Sequence, residues 1–454
     1  MNHTCSGAPE SIINGIPLSR HRPTGSLFPL FLLAGAMELV YLSILRLNNL
    51  SEEVGAFTLL IFLQGILFFV SIYLGEKISP RRSHLILILV AAAAFRLTLF
   101  PLYPSLSDDP YRYRWEGKAQ QAGLNPYSIK PSDPGLAFLR DETYPFVSGP
   151  RYPTLYGPLL EEVFWISFVL LKNVVAMKLP FVLLDLGVVL VLFRLLPVLG
   201  LSPLRALVYA WSPLTVVEFA ASGHNDSLPI LGFVLALFWY RKGQERLSLA
   251  ALSASALSKI YALFLFPIFL LRTSWRRIWI PVLLGVIAFA PYGKGWRELI
   301  AGLSNYGKHW KTNESLYLLI RVLTTNEFWD GIIYLAIVVA AMLYCLARKL
   351  APERASFLIV GTILLFSPNV YPWYLSWIVP LLAIYPNPAW LLLTVTSFLS
   401  YHVLILYRSV GVWQENRFFI FLEYAPFYGL LIGGFLAARL RRRSRSRISV
   451  FMAR

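Results

Sequence analysis

The stretch that decides the fold is "HLILILVAAAAFRLTLFPLY" at residues 84–103, which the polar segment "SDDPYRYRWEGKAQQAGLNPY" at 107–127 follows almost at once. The first stretch is nearly free of charge, and about 20 apolar residues in a helix cross a hydrocarbon core roughly 30 Å thick. The second stretch packs two Asp, two Arg, a Glu and a Lys into its first dozen positions. The chain is therefore expected to leave a membrane at this point.

The composition of the whole chain is that of a membrane protein. Of its 454 residues 57% are hydrophobic and only 14% are charged, whereas soluble domains have about 25% charged residues. We therefore predict an all-α, polytopic transmembrane helical bundle of about 12 spans, forming one integral domain over residues 27–440. The apolar runs that predict these spans are 27–46, 55–74, 84–103, 178–196, 203–222, 388–407 and 425–440, with shorter runs at 226–241, 277–292, 331–347, 355–368 and 373–386.

The two ends and the cysteines exclude several classes of protein. Residues 1–26 lack the short apolar core and cleavage site of a signal peptide, so we expect a cytoplasmic tail there, and a second, basic one at 441–454. Cys5 and Cys345 alone provide neither a disulfide framework nor a thiolate metal site. The net charge of +17 lies largely in short loops and in "RLRRRSRSR" at 439–447. The positive-inside rule explains this better than nucleic-acid binding, and no nucleic-acid partner is expected.

Placing the basic loops in the cytoplasm puts the chemically varied segments on the outer face of the membrane. These segments are a large first outer loop at 104–177, then 222–227, Lys259, 293–330, 368–374 and 408–424. Residues 247–271 lie between two basic loops, so we expect two short helices that enter and return with Lys259 at their tip, buried in protein. Residues 158–171 are expected to form a second helix of the outer loop, lying against the membrane. The arrangement predicts an assembled site at the outer face.

The polar segment is predicted to form a helix with Ser107 as its N-cap and Gly123 at its end. Arg112 lies four residues after Asp108, and Glu116 lies four residues after Arg112, so a self-paired surface helix is the simpler interpretation. The alternative rests on position. Carboxylates in the first helical turn stay ionised at neutral pH, which suits a base, and Asp109 lies where a membrane-borne reactant would present its headgroup.

At this point the sequence resembles a known family. The order of the outer-loop string and of six further segments is similar to the GT-C superfamily of membrane glycosyltransferases, and most similar to bacterial mannosyltransferases that use a polyprenyl-phosphate sugar. The six segments are "FRLTLFP" at 95–101, "RYPTLYGPLL" at 151–160, "WSPLTVVEFAASGHNDSL" at 211–228, "SALSKIYALFLFP" at 255–267, "YGKHWKTNESLY" at 306–317 and "SPNVYPWYLSWIVPLL" at 367–382. The resemblance implies an acidic catalytic residue in the first outer loop, matching Asp109, and transfer of a sugar, mannose, outside the cytoplasm of a bacterial inner membrane.

Such a reaction needs one base and several cations, because a phosphate is already a good leaving group. Asp109 is the candidate base, with Asp108 or Arg112 setting its position and charge, and Tyr113 belongs to the same string. Direct displacement would invert the anomeric carbon, and paired carboxylates of the glycosidase kind are not required.

The candidate phosphate-binding residues are His224, Lys259, Lys308 and His309, with Arg417 as a looser candidate and Asn225 and Asp226 beside the first. Lys259 could instead snorkel to the interface, and His224 could be part of a helix cap. Tyr371, Trp373 and Tyr374 are expected to line a groove for sugar or isoprenoid, although an aromatic belt would look similar. The carboxylates are scattered without metal-ligand spacing, so neither a metal nor a cofactor is predicted.

The expected partners are a polyprenyl-phosphate sugar donor, a glycolipid or glycan acceptor, and membrane lipid. Two other functions remain open from the residues. A flippase for a lipid-linked saccharide would need alternating access, often built from inverted repeats, and no such repeat is seen. An oligosaccharide polymerase or ligase would share the outer-face site but would use a pyrophosphate-linked glycan.

Overall fold

The structure, a computed structural model, describes residues 26–452, without the side chains of residues 309, 438 and 441–452. The described part is all-α and contains no strand, and its one isolated bridge pairs Thr312 with Asn369 in parallel. The α-helices are α1 Phe28–Arg46, α2 Val54–Lys77, α3 Arg82–Leu99, α4 Asp109–Gln121, α5 Pro158–Leu171, α6 Leu179–Val198, α7 Leu207–Ala210, α8 Pro213–Val216, α9 Ser227–Arg241, α10 Glu245–Ala256, α11 Phe266–Arg272, α12 Trp279–Phe289, α13 Gly295–His309, α14 Tyr317–Thr324, α15 Glu327–Ala347, α16 Pro352–Phe366, α17 Pro372–Leu375, α18 Val379–Ile384, α19 Pro388–Thr396, α20 Val403–Val410 and α21 Arg417–Met452.

Shorter turns of helix link or extend these elements. The 3₁₀ turns are Pro134–Leu139, Tyr144–Phe146, Ala176–Lys178, Pro203–Ala206, Ile260–Leu265, Trp275–Ile278, Ala290–Tyr292 and Ser397–His402, and Val217–Ala221 forms a π turn.

Seven helical segments among the described residues are long and apolar enough to cross a membrane. They are Phe28–Arg46, Val54–Lys77, Arg82–Leu99, Ala176–Val198, Glu327–Ala347, Pro388–Val410 and Arg417–Ala437. An eighth is obtained if Trp275–Tyr292 and Gly295–Lys308, which are bent by 95° at their junction, form one span. The prediction of an all-α, multi-pass membrane protein is thus confirmed, with seven or eight candidate spans where the sequence suggested about 12.

The largest departure from expectation is the apolar run at 203–222, which is not one continuous helix. It consists of a 3₁₀ turn, the four-residue helices α7 and α8, and the π turn Val217–Ala221. Pro213 cannot donate a backbone hydrogen bond, so a helix coming from residues 207–210 cannot continue regularly through it. Every residue from 206 to 227 is buried. Irregular backbone at membrane depth is tolerated when it is buried in protein, which is the case here.

The helices of the outer loop and the interruption near Lys259 agree closely with the sequence. Helix α5 has the expected bounds, and α10 ends at Ala256, just before Lys259 begins the 3₁₀ turn that leads into α11. The N-cap of α4 is Asp108, one residue later than predicted. Ser107 still contributes, because its Oγ accepts a hydrogen bond from the backbone N of Asp109 at 3.2 Å. Gly123 follows the helix with a φ of 77°, a conformation that favours glycine.

One ion pair stands out inside the bundle. Arg96 of α3 pairs with Asp185 of α6, and both side chains are fully buried. The guanidinium also donates to the carbonyls of Ala92 at 3.0 Å and Ala210 at 2.8 Å. Since Ala210 is the last residue of α7, this arginine satisfies a carbonyl that the broken helix leaves without a helical partner. The pair therefore joins two spans to the irregular segment.

We expect Asp185→Ala to destabilise the fold by about 3–5 kcal/mol, because it leaves a buried guanidinium without its counter-charge. Unfolding of the purified protein in detergent measures the loss. Glu245→Ala is the matched control, since the Arg277–Glu245 pair is about a third exposed, 32% on each side, and such pairs contribute roughly 0–1 kcal/mol. Equal losses in the two variants would contradict this role of Asp185.

Candidate active site

Asp109 lies half-buried at the first position of α4, where two hydroxyl groups contact its carboxylate. Ser148 Oγ donates to Oδ1 at 3.2 Å, and Tyr113 Oη approaches Oδ2 at 3.5 Å. Asp108 beside it differs: burial, then the neighbouring negative charge of Asp109, raise the pKa of the Asp108 carboxyl, while Arg408 opposes the shift. The two acids predicted from the string thus have different surroundings.

Arg112 does not face Asp109. It is buried, its Nε donates to Glu116 at 2.6 Å, and its other nitrogens donate to the carbonyls of Gly149 at 3.0 Å and Tyr152 at 2.9 Å. The predicted pairing with Glu116 is present. This geometry makes Arg112 a clamp that fixes the chain after residue 147 against α4, and so positions Ser148 for its contact with Asp109.

Tyr113 connects Asp109 to the next wall of the site. Its ring stacks on Phe164 of α5 with centroids 4.4 Å apart and meets the ring of Tyr156 edge-on at 5.2 Å. Burial, followed by the nearby Tyr156, Asp109 and Asp226, raises the pKa of the Tyr113 hydroxyl well above its usual value. Tyr113 therefore links Asp109 to the rings of Tyr156 and Phe164.

Lys259 is brought to the same place from the interruption between α10 and α11. Its Nζ lies 3.2 Å from Oδ1 of Asp226, 5.8 Å from the ring centroid of Tyr156 and 5.6 Å from that of Tyr374. Asp226 is fully buried, and the same Oδ1 accepts from the indole nitrogen of Trp377 at 2.7 Å. The structure thus joins 222–227, Lys259 and 371–377 in one cluster next to α4.

A stack of three rings forms the adjoining wall. His224 lies on Trp373 with centroids 4.0 Å apart, and Trp373 lies on Tyr371 at 4.3 Å. The hydroxyl of Tyr371 donates to Thr312 at 3.4 Å, and burial raises the pKa of Tyr371 to about 12. Aromatic residues of a simple interfacial belt would face lipid. These rings instead pack on a buried histidine.

Several polar atoms between the cluster and the stack are buried without a hydrogen-bond partner. They are both ring nitrogens of His224, both amide atoms of Asn225, Asp226 Oδ2 and Ser227 Oγ, all on side chains that are fully buried. Buried polar atoms in native proteins are nearly always hydrogen-bonded. Their concentration at residues 224–227 is what a binding site for a polar ligand would show.

The remaining predicted residues are more peripheral. Lys308 is exposed on α13, Arg417 is exposed at the start of α21, and the side chain of His309 lies outside the described part of the structure. Tyr306 lies on α13 just before Lys308 and His309. Its hydroxyl accepts a hydrogen bond from Asn369 at 2.5 Å, so α13 itself borders the site. Among the described residues, no three His, Cys, Asp or Glu side chains form a group that could hold a metal ion.

Lys178 is an important residue that the sequence did not single out. It is fully buried at the head of α6, and its ammonium donates to the carbonyls of Leu102 at 2.6 Å, Ala220 at 2.8 Å and Ala221 at 3.2 Å. A Cβ on Gly223 would lie 2.6 Å from its side chain, so this close approach requires glycine. In the sequence Lys178 was merely the polar end of an apolar run. Tyr156 and Trp377 were likewise present in quoted segments without an assigned role.

The outer loop docks directly onto the turn that carries Lys259. The backbone nitrogens of Gly157 and Leu159 donate to the carbonyls of Ser258 and Leu257, both at 3.3 Å. A Cβ on Gly157 would overlap the carbonyl of Leu257 and lie 2.9 Å from that of Ser258. Because backbone cannot move aside as a flexible side chain can, glycine is required for this contact.

Comparison with known proteins agrees with the membrane architecture. Residues 31–274, more than half of the chain, match the family model described as "Alpha-(1->6)-mannopyranosyltransferase, N-terminal domain". Residues 321–432 match the model described as "MptB C-terminal domain". No individually curated protein matches the chain. The first match includes Asp109, His224 and Lys259, and the second includes Tyr371 and Trp373, the other two rings of the stack.

We expect Gly157→Ala to displace the loop from the Lys259 turn, with an overpacking cost of about 1–3 kcal/mol and a clear loss of activity. Gly135→Ala is the matched control, because the same loop leaves nothing within 4 Å of a Cβ at Gly135. Thermal unfolding and turnover of the two variants provide the comparison. Full activity in Gly157→Ala would show that the site does not depend on this docking.

Proposed function

Because this chain belongs to the alpha-(1->6)-mannopyranosyltransferase family and is a multi-pass membrane mannosyltransferase, we propose that Asp109 is the base that deprotonates its acceptor. The family match confirms the resemblance to GT-C mannosyltransferases that depend on polyprenyl-phosphate mannose. It favours transfer of mannose from a lipid donor to a glycan acceptor over the flippase and the polymerase. For this chain we propose a polyprenyl-phosphate mannose as the donor.

The proposed reaction is one displacement. The acceptor hydroxyl attacks the anomeric carbon of mannose, the bond from that carbon to the phosphate oxygen breaks, and the electron pair leaves with the phosphate. The hydroxyl proton passes to Asp109, whose two oxygens contact only neutral hydroxyls, at 3.2 Å and 3.5 Å. A positioned carboxylate of this kind contributes about 10²–10⁴-fold to the rate. The anomeric configuration inverts.

Lys259 and His224 are proposed to hold the departing phosphate. Lys259 pairs with Asp226 at 3.2 Å in the structure and is only 17% exposed, and cations in a site that excludes water stabilise developing negative charge strongly. The observation that carries the proposal is the cluster of unpartnered buried atoms at residues 224–227. This cluster lies beside Lys259, and Pro110, the residue after Asp109, approaches the adjoining Gly223. A polar headgroup bound there would satisfy these atoms.

Further residues complete the proposed site. Tyr371, Trp373 and Tyr374 would contact mannose or the first isoprenoid units, since rings bury apolar area while their polar tips hydrogen-bond. Asp108, Tyr113, Asn225 and Asp226 would position the reacting groups. Lys308 and His309 remain candidate phosphate contacts on α13. Arg112 is proposed to act only through the loop that it clamps.

We also propose the orientation in the membrane. The short helices α9, α12, α16 and the pair α17–α18, together with the broken segment 203–222, would complete a bundle of about 12 spans. Residues 27–440 would form one catalytic domain with cytoplasmic tails at 1–26 and 441–454. The positive-inside distribution supports a site on the outer face of a bacterial inner membrane.

Asp109→Asn is expected to reduce mannose transfer from polyprenyl-phosphate mannose at least 100-fold, the lower end of a general base's contribution, while the protein remains folded. Transfer of radiolabelled mannose to a glycan acceptor measures this. Asp133→Asn is the matched control in the same loop, because its carboxylate only accepts from the backbone of Lys130, at 2.8 Å. Turnover retained by Asp109→Asn would remove Asp109 as the base.

The orientation can be tested by cysteine accessibility in a Cys5→Ser background, where the other native cysteine, Cys345, is buried. Gly135→Cys in the outer loop should react with an impermeant maleimide in intact spheroplasts. Gln244→Cys, an exposed position between α9 and α10, should react only after permeabilisation. The reverse pattern would place the site on the cytoplasmic face.

A further inference from the structure

Behind the ring stack, a buried carboxylate contacts His224. Glu218 Oε2 lies 3.0 Å from His224 Nδ1, and both side chains have no exposed surface. The hydroxyl of Tyr401 donates to both oxygens of Glu218, at 2.9 Å and 3.1 Å. Buried polar groups are nearly always hydrogen-bonded, and the hydroxyl of Tyr401 supplies the hydrogen bonds of this carboxyl group.

The backbone explains how the two side chains meet. Glu218 lies in the π turn Val217–Ala221, and its carbonyl accepts from the backbone N of His224 at 2.9 Å. A π turn is rare and occurs frequently at functional sites. Gly223, with a φ of 76°, then turns the chain so that the imidazole lies flat on Trp373.

We propose that Glu218 is a positioning residue that fixes the ring of His224 so that its Nε2–H donates to the phosphate oxygen that departs from the donor. This deepens the proposed function and rests on its donor chemistry. Glu218 lies on the Nδ1 side of the ring without forming a hydrogen bond to Nδ1, so Nε2 is the nitrogen left for a ligand, and Nε2 is buried without a partner in the structure.

Two neighbours hold the ring in place. Glu218 lies 3.0 Å from Nδ1, and the ring of Trp373 lies flat against the imidazole. In the displacement, the electron pair of the broken bond goes to the phosphate oxygen, which accepts the Nε2–H hydrogen bond. His224 keeps the hydrogen on Nε2, and Asp109 takes the proton of the acceptor.

The other charged groups near His224 are accounted for by their own partners. Asp226 is paired with Lys259, and Lys178, whose side chain lies against Gly223, donates to three carbonyls. Asp109 lies on α4, and Pro110, the residue after it, approaches Gly223. Glu218 is therefore the carboxylate that acts on Nδ1.

The test is a double-mutant cycle on kcat with polyprenyl-phosphate mannose. Because Glu218 is proposed to act through His224, Glu218→Gln should lower kcat about 10–100-fold in the otherwise unmodified protein but should have no further effect in His224→Ala. If Glu218→Gln does not accumulate, Glu218→Asp, which withdraws the carboxylate, should give a smaller loss with the same dependence on His224. An equal fold loss with and without His224 would leave Glu218 with only a structural role.

His224→Ala tests the donor itself. It should lower kcat about 10²–10³-fold, the effect of removing one preorganised donor, and added imidazole should restore part of the turnover. His402→Gln is the matched control, since His402 also stacks on an aromatic ring, Phe419 at 4.7 Å, but has backbone partners on both nitrogens. It should leave kcat unchanged, and imidazole should have no effect on it. Absence of rescue by imidazole would overturn the assignment of His224.

The outcomes separate this inference from the proposed function. An unmodified protein that does not use polyprenyl-phosphate mannose, or an active Asp109→Asn, would defeat the proposed function. An active unmodified protein in which Glu218→Gln causes the same fold loss with and without His224 would defeat only the role of Glu218.

Discussion

The site depends on one buried ammonium. Lys178 donates to the carbonyl of Leu102, just after α3, and to those of Ala220 and Ala221 in the π turn. Backbone carbonyls that are buried without a partner cost free energy comparable to a lost hydrogen bond, so this lysine stabilises both segments at once. Holding them together places the start of α4, with Asp109, beside residues 223–226. The reacting groups are thus positioned by a cation that takes no part in the proposed chemistry.

The same constraint explains why the irregular segment lies where it does. A broken helix exposes carbonyls, and hydrocarbon offers them no donors, so such backbone must be surrounded by protein. Here two cations from spans supply the donors: Arg96 binds the carbonyl of Ala210, and Lys178 binds that of Ala220. Because of the break, residues 217–226 do not follow regular α-helical geometry. Glu218, His224 and Asp226 can therefore point toward one site instead of to successive faces of a helix.

The sequence predicted those features that depend on neighbouring residues. Run lengths gave the continuous spans, capping, Pro and Gly signals gave α4, and the positions of the basic loops gave α5 and the interruption at Lys259. The run at 203–222 was misjudged because hydropathy cannot distinguish a lipid-facing helix from a segment buried in protein. The roles of Lys178 and Glu218 were missed since their partners lie far along the chain, at Leu102 and Tyr401. No spacing rule connects such residues. Similarly, Arg112 was recognisable as a partner of Glu116 but not as a clamp on the chain at 148–152.

The arrangement of charges separates the two sides of the proposed reaction. Lys259 is paired with Asp226, and the rings of Tyr113 and Tyr156 connect its surroundings to Asp109. Among the described residues, the carboxylate of Asp109 accepts from the hydroxyls of Ser148 and Tyr113. A direct displacement requires this separation, because the proton of the acceptor goes to the carboxylate while the negative charge that develops on the phosphate is stabilised by the cation.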